Sequence, residues 1–415
     1  MRATSRKEIR SGSILQDRQL NQSTRLWTKS FIALTISSFL LFLNLQMLLA
    51  AFPSYVQKKF QADDMTLSLV TSVFALSAIV ARFVTAALMR KVGRKALLYT
   101  GLGIGAVVTL IYILANSIGS LLLMRVGYGI GFGMASTIIP TLVSRIIPAS
   151  RMGEGIGYFG LSTSLAMSIG PMIGLNVMKE AGFDKLAMAG AATLLLAFPI
   201  LLLTRAIPPQ PRNPVSSSTG TREKVPFNKR LIFPASLNVL LAITYGGLLS
   251  FIALFGESVH LEQVGLFFLF NAITIIIIRP ISGKVFDRKG HAAVLIPAVI
   301  CVISSLAVLS YATTMPLLII SALLYGLGFG AIQPTIQAWM LRSSAQAQYG
   351  MANSMFYNST DLGVASGAFI LGAISAATDY AVMYRYAAGF MALFLVLFAA
   401  VHFRAKTLNK EAALS

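Results

Sequence analysis

Runs of about twenty mostly apolar residues, separated by short polar stretches, recur along the whole chain, each long enough to cross ~30 Å of hydrocarbon as a helix. Twelve such spans are predicted, at 31–52, 66–89, 96–115, 121–144, 155–178, 186–204, 231–256, 263–282, 292–311, 316–341, 350–374 and 383–403. The opening polar segment, 1–30, has no apolar stretch and no small-residue cleavage site, so it reads as a cytoplasmic tail and not as a secretory signal. The longest internal polar stretch, 205–230, holds Pro208, Pro209, Pro211, Pro214 and the Ser216–Gly220 run. Such a composition cannot build a packed core, so it predicts a cytoplasmic linker between two six-helix bundles, 31–204 and 231–403, with a second cytoplasmic tail at 404–415. The fold class expected is an all-α membrane protein.

Composition sharpens this picture. With 56% hydrophobic and 12% charged residues and a mean hydropathy of +0.75, the chain fits neither a water-soluble fold nor a disordered one. A single cysteine, Cys301, and three scattered histidines leave no disulfide framework and no Cys/His zinc site, and no metal or cofactor is expected. The net charge of +20 raises the question of nucleic acid, and its placement answers it. Of the 34 Lys and Arg, 26 fall on the side that carries the termini and 4 in the opposite loops. Orientation follows Lys and Arg in short loops, which predicts both termini in the cytoplasm. The basic charge is thus a topology signal with some attraction to anionic lipid, and no nucleic-acid partner is expected. Compactness and short loops point to a multi-pass protein of a bacterial inner (cytoplasmic) membrane, and a monomer is expected.

Polar residues also reveal a repeat. An offset of 197 residues carries Arg82 to Arg279, Gly153 to Gly350 and Gly170 to Gly367, and brings Arg90-Lys91-Val92-Gly93-Arg94-Lys95 onto Asp287-Arg288-Lys289-Gly290. Apolar sequence slid past itself aligns Leu and Ala, and rarely Arg and Gly together. The coincidences argue for parallel six-helix repeats.

With these motifs the chain resembles the major facilitator superfamily, and within it the drug:proton antiporters. The family's loop signature is met in the second half by Gly283, Asp287, Arg288 and Gly290. The first copy keeps Gly93, Arg94 and Lys95 but has Ala86 in place of Gly and Arg90 in place of the acid. Arg125 followed by Gly129, Gly131 and Gly133 is similar to the family's fourth-helix motif, and Gly170-Pro171-Met172-Ile173-Gly174 resembles the antiporter motif of exporters. The resemblance implies the major facilitator fold, two six-helix pseudo-repeats working by alternating access. It also implies a gating role for Arg90, Gly93, Arg94, Asp287, Arg288 and Gly290, and a part for Arg125 in proton coupling. In relatives the loop acid faces the N-terminus of the eleventh helix, whose partial positive charge attracts it. Arg90 there would repel that dipole and weaken the inner latch on its side, while Asp287 latches the fifth helix.

Ionisable groups inside spans are costly and therefore candidates for function. Asp361 is the one acid placed deep in a span, eleven residues after Gly350, or about 16 Å from the cytoplasmic end. A carboxyl there could carry protons inward as cargo leaves, unless a neighbouring Arg, with Arg279 a conceivable partner, holds it in a permanent ion pair. Arg82 and Arg279 lie about 12 Å deep and either snorkel to hold helix ends or take part in transport. Arg125 either couples protons or bonds neighbouring carbonyls, and Arg385 reads as an interfacial anchor. For the substrate cavity the candidates are Asn44, Gln46, Tyr245, Asn271, Gln333 and Asn358, each of which could instead bond a neighbouring helix. Gly170, Pro171 and Gly174 either mark an antiporter or allow close packing and a kink.

No enzyme motif stands: the glycines of 127–133 lie inside a membrane helix, and no Gly-Lys-Ser/Thr phosphate loop is present. The expected function is proton-coupled efflux of small molecules, drugs or toxic metabolites. The alternative is a dedicated exporter of one polar metabolite such as an opine-type metallophore, and a third reading is a non-transporting receptor on the same fold.

Overall fold

The computed structural model describes residues 25–61, 64–89, 91–207, 228–261 and 263–412. Most of the first tail, most of the linker and Arg90 lie outside the described residues. Among these residues every regular element is helical: α1 (Lys29–Phe60), α2 (Asp64–Leu88), α3 (Arg94–Ile111) and α4 (Ile118–Ile146) are followed by a long run, Met152–Leu203. Gly182 breaks that run with φ 79° and ψ 175°, a conformation open to glycine, dividing it into α5 (152–181) and α6 (183–203). The second half comprises α7 (Ile232–Ser258), α8 (Leu266–Lys289), α9 (Ala292–Ser310), α10 (Met315–Arg342), α11 (Tyr349–Ala377) and α12 (Tyr380–Ala412).

Local chemistry sets these boundaries. The Thr28 hydroxyl accepts from the Phe31 amide at 3.2 Å to cap α1, and Ser117 and Ser120 form a reciprocal capping box at α4. Pro316 opens α10, where its missing N–H costs nothing. Gly290, at φ 81°, closes α8. Eleven apolar segments among the described residues are long enough to cross a bilayer, while the described apolar part of α2, Ser72–Leu88, is shorter. Three helices run well past their predicted spans: α1 continues to Phe60, α8 to Lys289 and α12 to Ala412.

Contacts sort the helices into two groups. In the first, α1 lies along both α5 and α6, and α4 is held between α2 and α3; in the second, α7 lies along α11, and α10 between α8 and α9. Small residues allow the close crossings. Gly129 and Gly133 of α4 abut α2 at Phe74, Ser77 and Ala78, and Gly131 abuts α3 at Gly101 and Gly105. Their counterparts at the 197-residue offset, Gly326, Gly328 and Gly330, meet α8 and α9 in the same way. A Cβ at Gly174 would collide with the Met47 carbonyl, and one at Gly170 would lie 2.6 Å from the Gln46 Cβ. The Gly-Pro-x-x-Gly motif is therefore where α5 rests on α1.

The start of α1, the α8–α9 turn and the end of α12 share one face of the molecule, hereafter the terminal face. Trp27 packs on Tyr158 near the start of α5, whose first amides meet Asp287 at the end of α8, and His291 beyond it packs on His402.

Candidate substrate and proton site

The two groups of helices meet along two seams, α2 with α11 and α5 with α8. At the terminal end of the second seam, Asp287 accepts from the Gly153 amide at 2.8 Å and the Glu154 amide at 2.9 Å, and from Arg342 Nη2 at 2.5 Å. A carboxylate on the first amides of α5 satisfies donors that a helix start leaves free and complements its dipole. Gly153 and Gly283 have no Cβ because each would strike the other's helix. Arg288 lies in the last turn of α8, while Gly93 caps α3 and Arg94 begins it.

The other seam has no matching carboxylate among the described residues. Met89 lies against Gly350, and Arg145 Nη2 donates to the Gln346 carbonyl at 2.9 Å. Asn353 donates to Ser144 at 3.3 Å and accepts from Gln337 at 2.8 Å, adding a buried polar bridge beneath. Sequence reasoning missed this bridge. Arg90, expected to weaken this side, lies outside the described residues.

Higher in the α2–α11 seam, Arg82 and Asp361 form an ion pair between the two groups of helices. Arg82 is 2% exposed and Asp361 36%, so the carboxylate is the accessible partner. Arg82 Nη1 also donates to Asn358 at 3.1 Å, its Nε to Ser136 at 3.2 Å, and its main-chain carbonyl accepts from Ser354 at 3.2 Å. Asp361 is thus paired with Arg82 and not with Arg279, because α11 packs against α2 while Arg279 lies in the α5–α8 seam.

Arg279 donates to Gln333 at 3.2 Å, and Tyr245 stacks on Phe329 at 4.7 Å between α7 and α10. Asn271 is buried against Gly326 of α10, its side-chain oxygen without a hydrogen-bond partner. Gln46 is half-buried where α1 meets α5.

Two candidates sit apart from this group. Asn44 is fully buried; its oxygen accepts from Tyr128 at 2.5 Å and its amide nitrogen faces Gly190, so it joins α1, α4 and α6. Arg125 donates to the Val70 carbonyl at 3.2 Å, with its guanidinium 3.9 Å from the Phe52 ring centre. These are carbonyl and cation–π contacts toward the far end of the first bundle. Tyr128→Phe leaves the Asn44 oxygen buried and unpaired, and is expected to lower stability by about 1–2 kcal/mol. Thermal unfolding in detergent checks that value, and an unchanged transport KM would place Asn44 in packing and outside the cargo's path.

Two groups of apolar helices meet along seams that the Arg82–Asp361 and Glu154–Lys284 ion pairs bridge, and the sequence comparisons give this arrangement a family. The Major Facilitator Superfamily profile matches residues 34–348. The chain belongs to that superfamily. Its members are transporters and not enzymes, and the superfamily's chains pass several times through a membrane. The chain is 26% identical to the multidrug resistance protein MdtG of Escherichia coli over 395 residues, covering 91% of this chain and 93% of that one. It is 24% identical over 364 residues to a probable sugar efflux transporter of Helicobacter acinonychis, covering 85% and 90% of the two chains. Among solved structures, that of the human organic anion transporter MFSD10 superposes with a TM-score of 0.74 at 16% identity, covering 89% of this chain and 98% of the other. The fold is therefore that of the superfamily.

Proposed function

We propose that this transporter exports small molecules from the cytoplasm in exchange for protons, crossing the cytoplasmic membrane twelve times with both termini inside. In this reading Asp64–Leu88 is the second crossing, and the terminal face is the cytoplasmic one. Similarity to a multidrug resistance protein and to a probable sugar efflux transporter supports export as the direction.

The observation that carries the coupling is the Arg82–Asp361 pair across the α2–α11 seam. With both partners charged, the pair ties the two bundles together beside the sealed terminal end, which leaves the opposite end free to part. A proton arriving from outside neutralises the accessible Asp361 and releases the tie. The seam then opens to the cytoplasm, cargo enters, and loss of the proton there re-forms the pair and returns the protein outward. The cycle moves one proton in for each turn outward, and its ion pair is broken only when protonation has removed the charge that would otherwise be stranded in low dielectric. The buried amides and hydroxyls near the seams favour a polar cargo over a purely lipophilic one.

The test is flux in proteoliposomes that trap a pH-sensitive dye, challenged with cationic drugs and polar metabolites. Cargo-dependent proton movement opposite to the cargo gradient is expected. Movement of cargo and protons in the same direction, or cargo movement blind to the pH gradient, would contradict antiport.

A further inference from the structure

One side-chain bond recurs at the 197-residue offset, and its surroundings do not. Arg82 donates to Ser136 at 3.2 Å, and Arg279, its counterpart at the 197-residue offset, donates at 3.2 Å to Gln333, the counterpart of Ser136. Each Arg is 2% exposed and each reaches across a seam to the other bundle. Arg82 finds Asp361 there, with Tyr357 one turn earlier on α11 and its ring centre 5.7 Å from the guanidinium. The positions equivalent to Asp361, Asn358 and Tyr357 on α5 are Ser164, Leu161 and Gly160.

Arg279 therefore meets the same helix face with the acid and the ring removed. A Cβ at Gly160 would collide with its Nη1, and the Gly157 position abuts its main-chain carbonyl, so two glycines make the room in which the guanidinium rests. Its Nε is buried without a hydrogen-bond partner, and the ion pairs among the described residues all involve other side chains. A guanidinium carries five N–H donors in a fork suited to a carboxylate. Beside its bond to the Gln333 amide oxygen, Arg279 has the neutral phenols of Tyr357 and Tyr245 near it, and no carboxylate among the described residues answers its charge at membrane depth.

The seam that shelters Arg279 is the one that must part when the terminal face opens, since Gly160 belongs to one bundle and Arg279 to the other. We propose that Arg279 recognises a carboxylate on the cargo, which takes up the place that Asp361 holds in the other half once the α5–α8 seam opens. Small organic carboxylates, including zwitterions, are then the cargo class, and compounds without an anionic group are excluded. The proposal rests on export by the central site but is read by binding, so it stands or falls apart from proton coupling.

The experiment uses full-length protein in lipid nanodiscs, with thermal stabilisation measured against benzoate, salicylate, glutamate, succinate and citrate and against the amide of each. Stabilisation by at least one carboxylate and not by its amide is expected. Arg279→Gln should weaken that response at least tenfold, and Arg279→Lys should keep part of it. Ser164→Asp supplies the missing acid from within; it should fold at least as well as the wild type and lose the response, because Arg279 then has an internal partner. Absence of any carboxylate response, equal responses to acids and amides, or a response undiminished in a folded Ser164→Asp protein would each overturn the proposal. If Arg279→Gln fails to fold, the Ser164→Asp result alone decides.

Discussion

Asp361→Asn is expected to abolish cargo movement driven by a pH gradient, by about a hundredfold or more, while exchange of labelled for unlabelled cargo continues. Asparagine keeps the shape of the side chain and can still accept a hydrogen bond from Arg82, but it neither carries a proton nor answers the Arg82 charge. Removing one partner of a fully buried ion pair costs about 3–5 kcal/mol, and the exposure of Asp361 lowers that figure here. Part of that loss here falls on the terminal-closed state, in which Arg82 also bonds Ser136 and Asn358. Arg82→Gln makes the complementary case: the acid remains titratable, but its protonation no longer releases anything. Side-by-side measurements of gradient-driven flux and of exchange distinguish these variants, since a merely damaged protein loses both activities together.

Asp287→Ala is expected to produce the largest change in conformation. It removes three hydrogen bonds from one carboxylate, two to the first amides of α5 and one to Arg342. Bonds to a charged group contribute about 1.5–3 kcal/mol each, and the α5 dipole adds to them. Even a net loss of about 3–4 kcal/mol shifts the ratio of terminal-closed to terminal-open molecules by a factor of roughly a hundred to a thousand. Spin labels at the exposed Lys95 and Lys284, on opposite bundles at the terminal face, should report a longer distance population in the variant. Asp287→Glu, which keeps the charge but misplaces it, should fall between the two.

Much of this architecture is legible in the sequence because its signals are strong and local. Apolar runs mark the spans, charge in short loops marks the terminal side, and Arg and Gly recurring at one offset mark the repeat. Glycines such as Gly153 and Gly350 stand out because backbones meet there, and the structure places both at seams. What the sequence leaves open is which helix of one bundle faces which helix of the other. Asp361 could pair with either buried Arg on grounds of depth; only the crossing of α2 with α11 assigns it to Arg82. The same gap leaves Asn44 open between the cavity and a bond to a neighbouring helix. A polar residue in an apolar helix has no amphipathic pattern to fix its direction, and its bond to Tyr128 depends on how α1 crosses α4. The offset itself held more than the glycines: applied to Ser136 and Asp361, it yields Gln333 and Ser164, the pair that sets Arg279 apart.

The central claim is that protonation of Asp361 opens the terminal face. Its most direct test follows the Lys95–Lys284 label distance in nanodiscs as the buffer is taken from alkaline to acidic, in the wild type and in Asp361→Asn. The account predicts that acid lengthens the distance in the wild type and that the variant no longer responds to pH. An acid-driven opening of equal size in both proteins would show that another group senses the proton, and would contradict the account.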